Sequence, residues 1–362
     1  MTDVALTNYV RQSLAQGRSE SDVEAFLVKS GWPKNEVHTT VQAYLADQPH
    51  CPVLKVEGLC KRFGRKSVLE NLYLEIEKGE IIGIIGQSGA GKTTLLNLLV
   101  GFYEPDKGDV TVMHNKKFFS VFKNNQQLKC LVGFSTQKPS IYPKLSCKEN
   151  LLHFASLYAI SMNEAESRAR GLLRVVGLEG NENVLASDLS GGMQKRLDIA
   201  CALIHDPAVL ILDEPTADLD PILRNSMIHL VREINKHGTT IIMSSHFLGD
   251  IEHLCQRIAV LRNKTITEIG TPDDLKRLYS RDFIVHLNLA SKNYQQLVSL
   301  LQQQRLCSGV ERQEHSLRVR TPFPEQVLDV INSSVHQSGD KVQFLHVARP
   351  SIQEVFTALV KQ

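Results

Sequence analysis

The chain is almost without net charge: 41 Lys and Arg stand against 39 Asp and Glu, a formal +2 in 362 residues. Holding a polyanion by bulk electrostatics needs a basic excess, so no nucleic-acid partner is expected. No apolar run approaches the roughly 20 residues that cross a bilayer. The first residues, MTDVALTNYV, lack a basic segment followed by an apolar one, so no secretory signal is read there. The seven cysteines are scattered, odd in number and without a CxxC pair. That usage reads as reduced thiols in a cytosolic protein, most of them filling the core. Neither an internal repeat nor a low-complexity tract is present.

What is there has an ordinary globular balance, 42% apolar and 22% charged. The length exceeds what one hydrophobic core usually organises, so two or three domains are expected. Residues 1–47 read as a small helical bundle. Val4, Leu6, Tyr9, Val10 and Leu14 suggest a first helix closed by Gly17. Ser21-Asp22-Val23-Glu24 has capping-box form ahead of a second helix ended by Gly31, and a third follows Pro33. Its face carries Val37, Val41, Tyr44 and Leu45. Such a bundle resembles UBA-like docking modules; a docking unit for a protein partner and a plain helical appendage are both open readings. ADQPHCP (46–52) is a linker.

From residue 53 to 280 the texture is α/β. Alternating Leu54 and Val56, then Leu72, Leu74 and Ile76, predict strands. The short apolar runs IIGIIG (81–86), AVLIL (208–212) and TTIIM (239–243), with LKCLVGFST (128–136) less uniform, predict buried parallel strands with helical crossovers. From 281 to 362 the order becomes β-α-β-β-α-β, the ferredoxin-like arrangement, and ARPSIQEVFTALV adds a last helix.

The chemistry begins at Gly86-Gln87-Ser88-Gly89-Ala90-Gly91-Lys92-Thr93-Thr94, which fits G-x-x-x-x-G-K-[ST] between a strand run and a helical run. Glycines let backbone N–H groups turn inward around phosphate oxygens, and the helix N-terminus adds partial positive charge. Lys92 is expected to reach the β- and γ-phosphates and Thr93 to ligate Mg²⁺. The run AVLILDEP ends in Asp213 and Glu214. Neighbours in an extended segment project differently, so Asp213 is assigned to the metal shell and Glu214 to deprotonating the attacking water. Gln137 and His246 also follow predicted strands. Ligands of an open parallel sheet sit beyond the strands' carboxyl ends, so these elements should share one edge. Gln137 is expected to complete the metal shell and touch the water, and His246 to hold the γ-phosphate.

Residues 189–196, LSGGMQKR, form a second phosphate device: Ser190 as N-cap, Gly191 and Gly192 leaving N–H groups bare, and a helix behind them. Taken in this order, the motifs of residues 53–280 closely resemble the ATP-binding-cassette (ABC) family. The resemblance implies a P-loop fold with an antiparallel β subdomain and a helical subdomain, ATP and Mg²⁺ as ligands, and ATP hydrolysis. It also implies that two copies pair head to tail, each laying its Ser190-Gly191-Gly192 stretch over the other's ATP. On the same grounds Phe63 matches the adenine-stacking aromatic, with Phe for the usual Tyr. Asp220 matches the loop linking the two sites. Met193 stands at the usual signature glutamine, with Gln194 next, a variant associated with exporter ATPases.

The stretch KPSIYPKL (138–145) matches the region that receives a helix of an integral membrane permease, and the tail is similar to that of drug, polysaccharide and Nod-factor exporter ATPases. The expected protein is therefore a peripheral ATPase on the cytoplasmic face of a membrane. The alternatives are a soluble ABC-type clamp acting on a non-membrane partner, and a docking protein with a vestigial cassette.

Overall fold

The computed structural model describes residues 6, 9–10, 20–30, 32–46, 52–115, 117–123, 130–279, 282–312 and 316–354. Two long strands, β1 (Pro52–Phe63) and β2 (Lys66–Glu77), pair antiparallel around a tight turn at Gly64 and Arg65. With β4 (Lys107–His114) and β5 (Lys117–Ser120) they form a sheet of order β2-β1-β4-β5.

A second sheet is built from β3 (Ile81–Ile85), β6 (Val132–Ser135), β7 (Val209–Asp213), β8 (Thr240–Ser244), β9 (Arg257–Arg262) and β10 (Thr265–Gly270), in the order β10-β9-β3-β8-β7-β6. All neighbours are parallel except β9 and β10. Both faces of this sheet are covered, which is why its strands read as unbroken apolar runs. Ile82, Ile84, Ile211 and Ile242 pack with α3 (Lys92–Leu99) and the first sheet. Ile81, Leu210, Leu212, Ile241 and Met243 pack with the helices on the other side. Each such buried side chain contributes about 1.5–3 kcal/mol of transfer free energy.

Those helices are α4 (Cys147–Leu157), α5 (Met162–Val175), α6 (Gly191–Leu203), α7 (Pro221–Lys236), α8 (Leu248–Leu254) and α9 (Pro272–Tyr279), with a 3₁₀ turn at Ala186–Asp188. The capping box expected at Ser146 is formed: its hydroxyl accepts from the Glu149 N–H, and the Glu149 carboxylate accepts from the Ser146 N–H. Gly133 marks where α6 lies closest to the sheet; a Cβ there would stand 2.2 Å from the Ala202 carbonyl oxygen.

At the N-terminal end, α1 (Glu20–Lys29) and α2 (Lys34–Ala46) enclose an apolar cluster of their own with Leu6 and Val10. The helix already runs from Glu20, which puts Ser21 inside its first turn, so the expected capping box is not the helix start. Gly17, Gly31, most of the first helical segment and the side chains of Tyr44 and Leu45 lie outside the described residues.

The C-terminal elements follow the expected order: β11 (Phe283–Leu289), α10 (Gln295–Gln303), β12 (Gly309–Arg312), β13 (Leu317–Thr321), α11 (Pro324–Ser338) and β14 (Val342–Ala348). Their strands form an antiparallel sheet, β12-β13-β11-β14, whose Val285, Leu287, Leu317 and Val319 pack on α10 and α11. The chain then returns to the central region. Ile352 is buried in the core beside α8, and its N–H donates to Glu252 at 3.1 Å. Of the final helix only its first turn falls in the described residues.

Among the described residues no helix is long and apolar enough to cross a membrane. The described cysteines are free thiols, with Cys147, Cys201 and Cys255 buried.

Candidate active site

The sheet delivers its polar residues to one edge. The loop 86–91 follows β3, Gln137 follows β6, Asp213 ends β7, and His246 follows β8. The loop, Gln137 and His246 border a cleft of about 780 Å³ lined by Gly86, Ser88, Gly89, Gly91, Lys92, Thr93, Thr94, Gln137, Glu214 and His246, with Phe63, Lys66 and Val68 at its side; Asp213 is buried and not part of that lining. Gln87 and Ala90 instead border an adjoining crevice on the far side of the loop.

The loop's shape depends on its glycines. Gly89 and Gly91 have φ of 78° and 108°, left-handed values that side chains resist. A Cβ on Gly86 would stand 2.6 Å from the Leu261 carbonyl oxygen. Lys92 opens α3 and folds back over the loop, its Nζ donating to the carbonyls of Gly86 (2.9 Å) and Gln87 (3.2 Å). Burial pushes its pKa down, opposed by the nearby charges of Glu214 and Asp213. A buried ammonium beside a glycine loop is a strong phosphate receptor, because its attraction is little screened.

Asp213 is buried, and its Oδ1 accepts from the Ser244 hydroxyl at 2.5 Å. The Ser244 oxygen in turn accepts from the Glu214 N–H at 3.0 Å. Ser244 thereby fixes both acids, a role not read from the sequence although it sits in register with Asp213 across β7 and β8. Glu214 has φ 47°, a left-handed conformation costing about 1–3 kcal/mol in a non-glycine residue. That turn swings its side chain away from that of Asp213. Its Oε2 accepts from His246 Nδ1 at 2.9 Å and from Gln137 Nε2 at 3.4 Å. The His246 ring leans on Phe247, which rests against the Arg224 guanidinium 3.6 Å from its centroid.

Phe63 is half exposed, edge-on to Tyr103 at 5.3 Å and beneath the Lys61 ammonium at 5.4 Å. A flat π-face beside a phosphate loop suits a stacked base. Lys66, which pairs with Phe63 across the hairpin turn, adds a second cation that sequence reading missed.

Ser190, Gly191 and Gly192 do not border this cleft. They form the first turn of α6, with Ser190 Oγ accepting from the Met193 N–H at 3.4 Å and Gly191 exposed with open space around it. Met193, Gln194 and Asp220 do not border this cleft either. Met193 packs against the core, and the Gln194 amide donates to the carbonyls of Ala186 (3.0 Å) and Leu189 (3.3 Å). Both side chains thus shape the turn behind the lip. Asp220 caps α7, accepting from the N–H groups of Ile222 and Leu223 at 2.9 Å each.

The chain matches the family described as ABC transporter over residues 69–217. It is 30% identical over 308 residues to the linearmycin resistance ATP-binding protein LnrL of Bacillus subtilis, covering 85% of this chain and 98% of that protein. It is 36% identical over 218 residues to the Nod factor export ATP-binding protein I of Bradyrhizobium diazoefficiens, covering 60% of this chain and 70% of the relative. Among solved structures it superposes on the dimeric post-hydrolysis cassette MJ0796 with ADP and Pi at a TM-score of 0.54 and 26% identity, over 60% of this chain and 98% of that one. The relative matched over nearly its whole length places the chain in that family: it is an ATP-binding ATPase of the ABC transporter family.

Proposed function

We propose that the chain is the ATP-hydrolysing subunit of an exporter, working as two copies head to tail and driving a separate integral membrane permease from the cytoplasmic face. The observation that carries the chemistry is the hydrogen-bonded set Gln137–Glu214–His246 at the mouth of the Lys92 loop. ATP lies with its phosphates in the turn Gly86–Thr94 and its base on Phe63. Glu214 takes a proton from water as the water oxygen bonds to the γ-phosphorus; the bond from that phosphorus to the bridging oxygen breaks, and ADP and phosphate leave. Lys92 offsets charge on the phosphoryl oxygens. An ionised Glu214 only accepts, so His246 donates to it through Nδ1. The other ring nitrogen, Nε2, is left to meet a γ-phosphate oxygen.

Thr93, Asp213 and Gln137 present hydroxyl, carboxylate and amide oxygens, the hard donors that Mg²⁺ takes together with phosphate and water. That ion, if bound there, would supply charge neutralisation to the phosphates. The lip at Ser190-Gly191-Gly192 serves the second copy's ATP, so neither chain holds a complete site alone. Support comes from its absence from the chain's own cleft and from the dimeric assembly of MJ0796.

The membrane partner is read from a groove of about 850 Å³ between the sheet and the helices α4 and α6, lined by Phe102, Val121, Phe134, Phe154 and Leu157 among others. Phe102 and Leu157 are 73% and 65% exposed there, an apolar pair suited to a short helix from another chain. Export is the function named for the Nod factor relative, and resistance for the linearmycin relative. Residues 1–47 are read as a docking unit for a protein partner, and residues 281–362 as a ferredoxin-like accessory domain, supported by the strand order β12-β13-β11-β14.

Glu214→Gln tests the reading. It should keep ATP binding, abolish turnover and accumulate an ATP-bound dimer on sizing. Parental steady-state hydrolysis by that variant would show the base assignment to be wrong.

A further inference from the structure

α6 carries more than the lip. Beyond its first turn, Lys195 and Asp198 point inward and are only 5% and 3% exposed. Nothing in the chemistry above uses them. Asp198 Oδ2 accepts from the Ser135 hydroxyl at 2.5 Å, and Oδ1 accepts from the Ser140 N–H at 2.7 Å. Lys195 Nζ donates to the Thr136 carbonyl and lies 4.0 Å from Asp198. These anchor points bracket Gln137. The bracket is tightened from within by Thr136 Oγ1, which donates to the Lys138 carbonyl at 2.6 Å and lies 2.8 Å from the Ser140 hydroxyl. The close approach at Gly133 is what lets α6 reach this loop at all.

Stability is a poor reason for the arrangement. Replacing a buried ion pair by apolar side chains of similar size is often neutral or stabilising. The cost of burial acts on each partner: it pushes the Lys195 pKa down and the Asp198 pKa up. What the pair does supply is direction. It gives the loop two charge-assisted anchors on a rigid helix, and hydrogen bonds of that kind are the strong and geometrically demanding ones.

We infer that Lys195 and Asp198 are positioning residues for Gln137: they fasten its loop to the helix whose first turn is the Ser190 lip. Lip and loop then move as one body, and closure of the lip on a second copy's ATP resets Gln137 in this chain's own site. The second half of this inference rests on the two-copy reading proposed above. The first half needs one chain only.

The test uses the full chain and measures turnover against ATP concentration for Asp198→Asn, Gln137→Ala and the two combined. Asp198→Asn should lower kcat about 10- to 100-fold, the scale of a group displaced by about an ångström. KM for ATP should rise much less than kcat falls, since Gln137 is one donor among several in the ground-state complex. Gln137→Ala should then add nothing further, because both changes remove the same placed amide. Lys195→Arg keeps a donor and should retain most of the turnover that Lys195→Met loses. A lone buried charge can unfold a protein, so Lys195→Met/Asp198→Leu removes both and is followed by thermal melting. Melting at or above the parental temperature with turnover as low as that of Gln137→Ala supports positioning. Additive losses in the Asp198–Gln137 pair, or parental kcat in the folded double variant, overturn it. Ser190→Arg separates the two readings: unchanged turnover there sinks the lip while leaving the Asp198–Gln137 result to be judged by itself.

Discussion

Two helix N-termini in this chain use the same device and are equipped differently. α3 begins at Gly91, whose left-handed backbone offers no side-chain cap, and the next residue is a buried lysine. α6 begins at Ser190, whose hydroxyl caps the helix, and the next residue is an exposed glycine. Around the first stand Asp213, Glu214, Gln137 and His246; the second presents N–H groups and a small hydroxyl. A helix N-terminus is worth about half a unit charge. That is enough to complete a shell around a phosphate already neutralised elsewhere, and too little to bind one by itself. The first terminus therefore suits holding nucleotide and the second suits closing over it.

The largest expected effect comes from removing the one group found only at the first terminus that handles a proton. Glu214→Gln keeps size and hydrogen bonding but cannot accept a proton. Turnover should fall about 10³-fold or more, within the range lost with a positioned acid–base group. Nucleotide affinity of the isolated chain should stay within about twofold. If affinity fell in step with turnover, the acid would belong to binding and the contrast between the two termini would blur.

Next is Ser190→Arg, which places a long cation where the proposed two-copy arrangement brings a second copy's phosphate. Turnover should drop about 100-fold, comparable to losing an electrostatic donor at the reacting group, while single-chain affinity is unchanged. Titration with a fluorescent nucleotide and sizing under ATP give both readouts. A loss of affinity in the single chain would mean that the lip serves its own cleft.

A smaller effect should follow Phe63→Ala. Base stacking on an aromatic is worth about 1–3 kcal/mol, so KM for ATP should rise roughly 5- to 150-fold with kcat nearly constant. Phe63→Tyr keeps the ring and should behave as the parent. A drop in kcat without a change in KM would place the ring away from the base.

The gathering of Gln137, Glu214 and His246 at the first terminus was legible in the sequence because buried parallel strands announce themselves as short apolar runs, and the polar residues after them must share an edge. What stayed hidden depends on contacts between segments far apart in the chain. Ser244 bridges Asp213 and Glu214 only because β8 lies beside β7 in register. Asp198 anchors the Gln137 loop from 58 and 63 residues away. Gln194 turns back onto Ala186 and Leu189 instead of toward solvent, which helical spacing alone does not decide. The return of Ile352 to the central core is of the same kind, since a lone isoleucine in a tail carries no address. Local signals also mislead at helix starts. Ser21 has the right neighbours for a cap, yet the helix has already begun at Glu20.

The smallest effect is the most discriminating for the second terminus. Ser190 has one local task, accepting the Met193 N–H, at a distance of 3.4 Å that marks a weak bond. Ser190→Ala removes the cap and should cost about 0.5–1 kcal/mol of stability, the low end for such losses. Asn at 190, a cap of equal rank, should restore it. Gly191, exposed, and Gly192, buried, keep their N–H groups in all of these variants. If those amides do the closing, turnover by Ser190→Ala should fall only a few-fold, by an amount set by one neutral hydrogen bond of about 1 kcal/mol. A loss as large as that of Ser190→Arg would mean the hydroxyl itself holds the phosphate, and the second terminus would then be a side-chain site rather than a backbone one.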